Sequence, residues 1–200
     1  MCLIEDVNNK LDFHTIKNKW FKDNGVEVMR YGLPVGDYIL ANDRVMEMLA
    51  RKKMRGIQPH KMDFLGTYNI AIDSKRDIAE ICGNVCGKSH DRFRDELLLA
   101  KNNGIKLYIL VENKGGLIKG TKDIYNPTIR NLPELAKWRN PRLFLWRNGK
   151  QLYPSATKGA TLMKACMTLE KRYDCRFIFT TPEESGAKII ELLGGDVHVD

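Results

Sequence analysis

Hydrophobic and polar residues alternate most clearly in residues 68–75 (YNIAIDSK), which predicts a strand with two different faces. The apolar face suits a protein core and consists of Tyr68, Ile70 and Ile72. The other face is more polar and ends in an acid and a lysine. Five more runs of strand-like composition predict the rest of a sheet: residues 2–6, 26–33, 105–112, 142–147 and 176–180.

Between these strands, apolar residues recur at helical spacing. Residues 78–85 show the i, i+3, i+4, i+7 pattern of one buried helix face, and further helices are predicted at residues 11–23, from residue 89 onward, at 157–172 and at 183–193. The expected buried stripes of the helices at 11–23 and after residue 89 are Phe13, Ile16 and Trp20, and Phe93, Leu97 and Ala100. Strands and helices that alternate in this way predict an α/β fold with a mixed central sheet flanked by helices.

Residues 39–67 are the least regular part of the chain. They contain the basic run 51–56 (RKKMRG) and half of the eight methionines. We interpret the segment as a basic insertion that forms a mobile hairpin or a short helix, and the plain alternative is a solvated loop. Neither an internal repeat nor a linker divides the sequence, so residues 1–200 are predicted to form one domain.

The polar end of the predicted strand 68–75 carries the candidate chemistry. Asp73 and Lys75 lie two residues apart on one face, and Asp37 follows a second strand-like run that could pair with the first. Two carboxylates and one lysine form the minimum set for holding a divalent metal, Mg²⁺ or Mn²⁺, against a phosphodiester. The pattern by itself is weak, because most acid-x-lysine pairs are solvated strand ends.

The context of these residues resembles a known family. GLPVGDY around Asp37 and IDSK at residues 72–75 resemble the GD and ERK motifs of the XPF-type nuclease domain, the excision-repair branch of the PD-(D/E)xK nucleases. HDRFRDELLLA, KLYILVEN and the C-terminal segment starting at ATKGATL extend the similarity over most of the chain. It is most similar to small bacterial and phage versions without a helix-hairpin-helix module. Ser74 stands where the family has its motif arginine, and Ala79 where it has a further acid.

The resemblance implies a restriction-endonuclease-like core and a metal-dependent DNA endonuclease that cuts branched or flapped DNA. Asp37 and Asp73 would hold the metal, and Lys75 would orient the water or stabilise the developing charge.

Asp6 matches the acid that ends the family's first strand and would be a secondary metal ligand; the alternative is an exposed strand-end carboxylate. Asp77 and Glu80 lie on either side of Ala79, so one of them would replace the missing acid, and Glu80 is the candidate for a further secondary ligand. Arg92 matches a family arginine that would contact a phosphate or form a structural ion pair.

Two other functions stay open at this stage. Ser74 and Ala79 favour a catalytically inactive DNA-binding partner of such a nuclease, whereas the intact acids argue against it. A Holliday-junction resolvase or a restriction-type enzyme would share the same metal motif.

The charge of the chain supports a polyanionic partner. The formal net charge is +8, which favours nucleic acid, although many basic proteins bind none. Lys52, Lys53 and Arg55 are DNA-binding candidates, because their segment joins the two predicted metal-binding strands. Lys158, in the ATKGATL segment, is a further candidate.

The remaining expectations concern assembly and location. The family resemblance and the wide apolar surface of the helix at 183–193 predict a homodimer. No apolar run is long enough to span a membrane and the N-terminus does not resemble a signal peptide. An odd number of cysteines, five, predicts a reduced, cytoplasmic protein.

Overall fold

The computed structural model describes residues 1–9 and 15–194. Its strands are β1 (Cys2–Asp6), β2 (Glu27–Tyr31), β3 (Tyr38–Leu40), β4 (Ile70–Lys75), β5 (Lys106–Glu112), β6 (Gly116–Leu117), β7 (Tyr125–Asn126), β8 (Trp146–Arg147), β9 (Lys150–Gln151) and β10 (Arg176–Thr180). Its α-helices are α1 (Thr15–Asp23), α2 (Asp43–Met54), α3 (Ile78–Cys86), α4 (His90–Asn102), α5 (Gly159–Tyr173) and α6 (Ser185–Leu192). Short 3₁₀ helices cover Lys61–Phe64, Pro133–Lys137 and Pro141–Phe144.

Six strands form the central sheet, in the order β10-β5-β4-β3-β1-β2. β10, β5 and β4 are parallel neighbours, as are β1 and β2, whereas β3 runs antiparallel to both β4 and β1. The sheet is therefore mixed, and the predicted α/β class is confirmed.

Helices cover both faces of this sheet. Successive strand residues point to opposite sides, so each central strand contributes to two cores. Ala71 and Ile109 face one core, which α2, α3, α4 and α5 complete. Ile72 and Leu110 face the other core, which α1 and α6 complete. Since both faces are covered, the central strands are buried along most of their length.

Residues 39–67 are part of the packed fold. They hold most of β3 and the whole of α2, so a short helix is present as one of the two expected forms. The side chain of Asn42 caps α2 by accepting a hydrogen bond from the Val45 backbone N at 3.0 Å. Val45, Met48 and Leu49 of α2 are buried in the first core, which rules out a solvated loop.

Two expectations about strands are wrong. The run at 26–33 does not pair with the strand at 68–75: β2 lies at the sheet edge on β1, and β3 takes the place beside β4. Residues 142–147 do not form a sheet strand either. Pro141 begins a 3₁₀ helix there, and the two-residue turn Asn148–Gly149, with both φ angles positive, then closes the small hairpin β8–β9.

The last helix buries its wide apolar surface within the chain. Ile189, Ile190 and Leu193 are nearly inaccessible and pack in the core beside α1 and β5. Gly186 allows this close approach, because a Cβ there would lie 2.8 Å from the Trp20 ring. Among the helices of the described ranges, none is long and apolar enough to cross a membrane.

Candidate active site

Asp37 is positioned by a glycine turn that brings the chain against β4. Gly36 has a φ of +76°, and a Cβ on it would lie 2.8 Å from the Cβ of Ala71, so no other residue fits without displacement. The Asp37 backbone N then donates to the Ile72 carbonyl at 2.7 Å, and its Oδ2 accepts from the Ser74 backbone N at 2.8 Å. The carboxylate is therefore fixed beside the C-terminal end of β4.

Asp73 and Lys75 lie on the same face of β4, as the alternation predicted. Both side chains are buried, and Lys75 Nζ donates to Asp73 Oδ1 at 2.6 Å. The second oxygen, Asp73 Oδ2, is buried and has no hydrogen-bond partner within residues 1–9 and 15–194. A buried carboxylate oxygen without a partner is costly, so this atom is poised to take a ligand.

The electrostatics show an excess of negative charge in this cluster. Burial raises the pKa of Asp37 well above its usual range, and the neighbouring Asp73 raises it further. Burial also raises the pKa of Asp73, although Lys75 opposes the shift. Burial alone would lower the pKa of Lys75, but Asp73 and Asp37 together raise it above its usual value. Lys75 thus does not offset the effect of burial on the pKa of either carboxyl group.

Glu96 is a third acid at this site, and the sequence reasoning missed it. It extends from α4 and its Oε1 accepts a hydrogen bond from the Gly36 backbone N at 3.0 Å. Burial and then the charge of Asp73 raise its pKa to about 7. Its helical spacing could have indicated this position. Glu96 lies three residues after Phe93 and four before Ala100, both of which are buried, so it shares the side of α4 that faces the sheet.

The two secondary candidates line the same cleft, which has a volume of about 830 Å³. Asp6 accepts a hydrogen bond from the Leu33 backbone N at 3.3 Å. Glu80 forms an ion pair with Arg76 at 3.2 Å. Within residues 1–9 and 15–194, no three His, Cys, Asp or Glu side chains are clustered closely enough to complete a metal site by themselves.

The structure separates the predicted DNA-binding residues. Arg92 lines the cleft, and so does Lys61, which was not selected as a candidate. Lys52 pairs with Asp63 at 2.7 Å outside the cleft, and Lys53 borders a different cavity. The other two candidates are exposed away from the cleft lining: Arg55 after the end of α2 and Lys158 at the start of α5. Of the basic residues in the segment between β3 and β4, the cleft lining therefore includes Lys61 and not the run that extends from α2.

Ser74 points to the opposite face of β4, where the structure places an unexpected lysine. Lys17 of α1 is only 2% exposed; its Nζ donates to Ser74 Oγ at 2.8 Å and forms a salt bridge with Glu112. The predicted stripe of this helix is wrong for Ile16, which is 49% exposed; Phe13 lies outside the described residues. Ser74 occupies the position where the family pattern has arginine, and the ammonium group of Lys17 contacts it from the side of α1.

A mixed α/β sheet that gathers two carboxylates and a lysine in one cleft is the arrangement expected of an XPF-type nuclease domain. The chain belongs to the ERCC4 domain family, whose model matches residues 6–193. The resemblance inferred from the motifs is thereby confirmed.

A solved XPF structure has a similar fold. XPF from Aeropyrum pernix in complex with DNA superimposes with a TM-score of 0.51 at 14% identity, covering 96% of this chain. A second structure of XPF from Aeropyrum pernix gives a TM-score of 0.49 at 15% identity, again over 96% of this chain. The chain spans 63% and 64% of the two XPF chains. No curated protein matches the sequence significantly.

Proposed function

We propose that this protein is a divalent-metal-dependent DNA endonuclease. The observation that carries the proposal is the buried Asp73 Oδ2, which has no hydrogen-bond partner in the part of the chain that the structure describes and lies in a cluster whose acids have raised pKa values. Such a cluster suits a hard cation, because carboxylate oxygens are the ligands that Mg²⁺ and Mn²⁺ prefer.

The chain's own residues divide the work of phosphodiester hydrolysis. Asp37 and Asp73 would hold Mg²⁺ or Mn²⁺, with Asp6 and Glu80 as secondary ligands. The bound metal would neutralise phosphate charge and lower the pKa of a water molecule. Lys75 is fixed by its bond to Asp73, so its ammonium group is preorganised to orient the attacking water and to stabilise charge on the phosphate.

The proposed substrate is branched or flapped DNA, cut near the junction of paired and unpaired strands. Family membership, a net charge of +8 and the position of Arg92 and Lys61 in the cleft support DNA as the partner. The solved XPF structure was obtained with DNA. A homodimer and a reduced, cytoplasmic setting remain part of the proposal.

The apolar surface of the last helix no longer supports a homodimer, because α6 buries its apolar side chains within one chain. The resemblance to paired nuclease domains still supports it, and Met167 on α5 is 51% exposed. Light scattering at tens of micromolar would decide: a monomer mass contradicts this part of the proposal.

An inactive DNA-binding partner is the second candidate, because Ser74 and Ala79 depart from the family motifs. The ammonium group of Lys17 contacts Ser74 on the face of β4 opposite the cleft and is paired there with Glu112, so it adds no cation to the cleft. Ala79 leaves no acid at its own position, but Glu80 lines the cleft one residue later. The presence of Asp37, Asp73 and Lys75 in the cleft, together with Glu80, favours an active enzyme.

The test is a cleavage assay on labelled flap, fork, four-way junction and linear duplex DNA, with Mg²⁺ or with a chelator. We expect metal-dependent cleavage of the flap or fork, and its loss in Lys75→Ala; the matched control Lys22→Ala changes an exposed lysine on α1. Preference for the four-way junction would favour a resolvase. Metal-independent cutting, or wild-type cutting by Lys75→Ala, would contradict the proposal.

A further inference from the structure

The segment before and within α5 has an extreme charge distribution. Residues 135–169 contain no aspartate or glutamate but seven cations: Lys137, Arg139, Arg142, Arg147, Lys150, Lys158 and Lys164. All seven side chains are exposed. In the part of the chain that the structure describes, none of them forms a salt bridge. This surface therefore lacks the internal neutralisation seen at Lys52.

The β8–β9 hairpin concentrates this charge. Arg147 lies directly opposite Lys150 across the two strands, and Asn148 and Gly149 form the tight turn between them. Like charges directly opposite each other in a hairpin are destabilising. Since no acid lies in this segment to offset the repulsion, a polyanion bound at the hairpin would relieve it.

The same hairpin exposes aromatic rings. Trp146 pairs in register with Gln151 and is 63% exposed. Tyr153, just after the hairpin, is 46% exposed, and the Arg142 guanidinium lies over its ring at 5.6 Å. Large exposed aromatic residues beside unpaired cations are typical of surfaces that bind unpaired nucleic-acid strands, since a base can stack on the ring while the phosphates meet the cations.

The hairpin surface adjoins the catalytic cleft through α3. Ala79 and Gly83 of this helix line a groove together with Arg142 and Tyr153. Glu80, the neighbour of Ala79, lines the cleft itself. A strand that leaves the cleft beside α3 would thus meet the hairpin next.

We propose that the hairpin surface, formed by Arg142, Trp146, Arg147, Lys150 and Tyr153, binds the unpaired strand of the DNA substrate. The proposal rests on the proposed function for the identity of the substrate. It assigns the unpaired strand because a base-paired duplex keeps its ring faces stacked internally, whereas an unpaired base can stack on Trp146. The cations would hold the phosphates of the same strand.

The experiment measures binding of a fluorescently labelled oligothymidylate and of a blunt duplex to the full-length protein, with a chelator present so that no cleavage occurs. Trp146→Ala should weaken oligothymidylate binding about tenfold, because stacking of one base contributes roughly 1–3 kcal/mol, and Trp146→Phe should recover most of it. Binding of the blunt duplex should change much less. Tryptophan fluorescence should be quenched by oligothymidylate in the wild type and not in Trp146→Ala.

A charge variant supplies the second readout. Arg147→Ala/Lys150→Ala should reduce the log–log salt slope for oligothymidylate by roughly 1.4, or about 0.7 per phosphate contact on a single strand. The matched control Lys19→Ala/Lys22→Ala removes two exposed charges from α1, on the opposite face of the sheet, and should leave the slope unchanged. Unaltered oligothymidylate binding by folded Trp146→Ala, or equal losses for both DNAs, would overturn the proposal. A protein that binds as expected but does not cut would contradict only the proposed function.

Discussion

Each face of β4 at its C-terminal end has a lysine next to acidic side chains, but the charges are balanced on only one of the two faces. On the face of α1 and α6, Lys17 is matched by Glu112 and by the hydroxyl of Ser74. On the cleft face, Lys75 lies near the acids Asp73, Asp37 and Glu96. Asp73 Oδ2 has no hydrogen-bond partner among the described residues. Asp73 and Lys75 are as buried as Lys17 and Glu112 on the opposite face, but only the face of Lys17 and Glu112 is electrically balanced.

The difference separates a face that stabilises the fold from a face that, in our proposal, binds a cation. A buried ion pair that is fully hydrogen-bonded compensates its own desolvation, whereas clustered like charges do not. The cleft face therefore gains most from an added cation, and the opposite face would gain nothing. Perturbed pKa values at clustered acids are typical of functional sites.

The largest expected effect comes from removing a cleft carboxylate. Asp73→Asn and Asp37→Ala should each reduce cleavage of the preferred DNA by on the order of 10⁴-fold, because each removes a proposed metal ligand. Far-UV circular dichroism should show an unchanged fold. Asp123→Asn changes an exposed acid and serves as the matched control; cutting by Asp37→Ala at the wild-type rate would show that the site is assigned wrongly.

Substitutions on the balanced face should change the stability of the folded protein. Lys17→Met leaves the buried Glu112 without its cation, so the free energy of unfolding should fall by about 3 kcal/mol or more. The double variant Lys17→Met/Glu112→Gln should recover part of this loss, because the uncompensated charge is gone. Urea denaturation of the wild type and both variants measures the effect. A single variant as stable as the wild type would show that this ion pair is not what holds the face together.

The cleft face should also make stability depend on pH. Because the pKa of Glu96 is raised from 4.5 to about 7, the folded protein binds this proton more tightly than the unfolded chain does. Its contribution to stability is therefore lost as pH rises between those values, by at most about 1.4 kcal/mol for each pH unit.

Glu96→Gln should consequently match the wild type near pH 4 and exceed it in stability near pH 8, in metal-free buffer. Thermal unfolding across this range is the measurement, and Glu47→Gln, an exposed position on α2, is the control. Parallel curves for Glu96→Gln and the wild type would contradict the expected repulsion.

The smallest effect concerns the cations around the cleft. Lys61 lines it, whereas Lys52 is paired with Asp63. Lys61→Ala should therefore reduce the salt slope of duplex-DNA binding by roughly 0.9, the value for one phosphate contact, and Lys52→Ala should leave it nearly unchanged. Equal slopes for both variants would show that proximity to the cleft does not determine contact with DNA.

The sequence predicted the cleft face better than its opposite. Asp37, Asp73 and Lys75 could be found because a short motif and strand alternation place them together. Lys17 could not, because its partner Glu112 is 95 residues away and a lysine on an amphipathic helix is normally expected to face solvent. Glu96 was missed for a related reason: its interaction with the backbone N of Gly36 depends on how α4 packs on the sheet.

The wrong strand assignments have equally specific causes. The run at 142–147 has the composition of a strand, but Pro141 and the Asn148–Gly149 turn leave it only two residues of pairing. The run at 26–33 has the correct conformation and the wrong neighbour, because the short β3 inserts between β1 and β4. Local patterns predict elements; they do not predict the order of strands in a sheet.

The most direct test of the central claim, that the cleft acids are arranged for a divalent cation, compares the melting temperatures of the wild type and Asp73→Asn near pH 8, with and without Mg²⁺. Without metal, Asp73→Asn should melt at the higher temperature, because like-charge repulsion in the cleft is reduced. With Mg²⁺, the wild type should be stabilised through binding to the folded state and should melt at the higher temperature. The same order of melting temperatures under both conditions would contradict the claim.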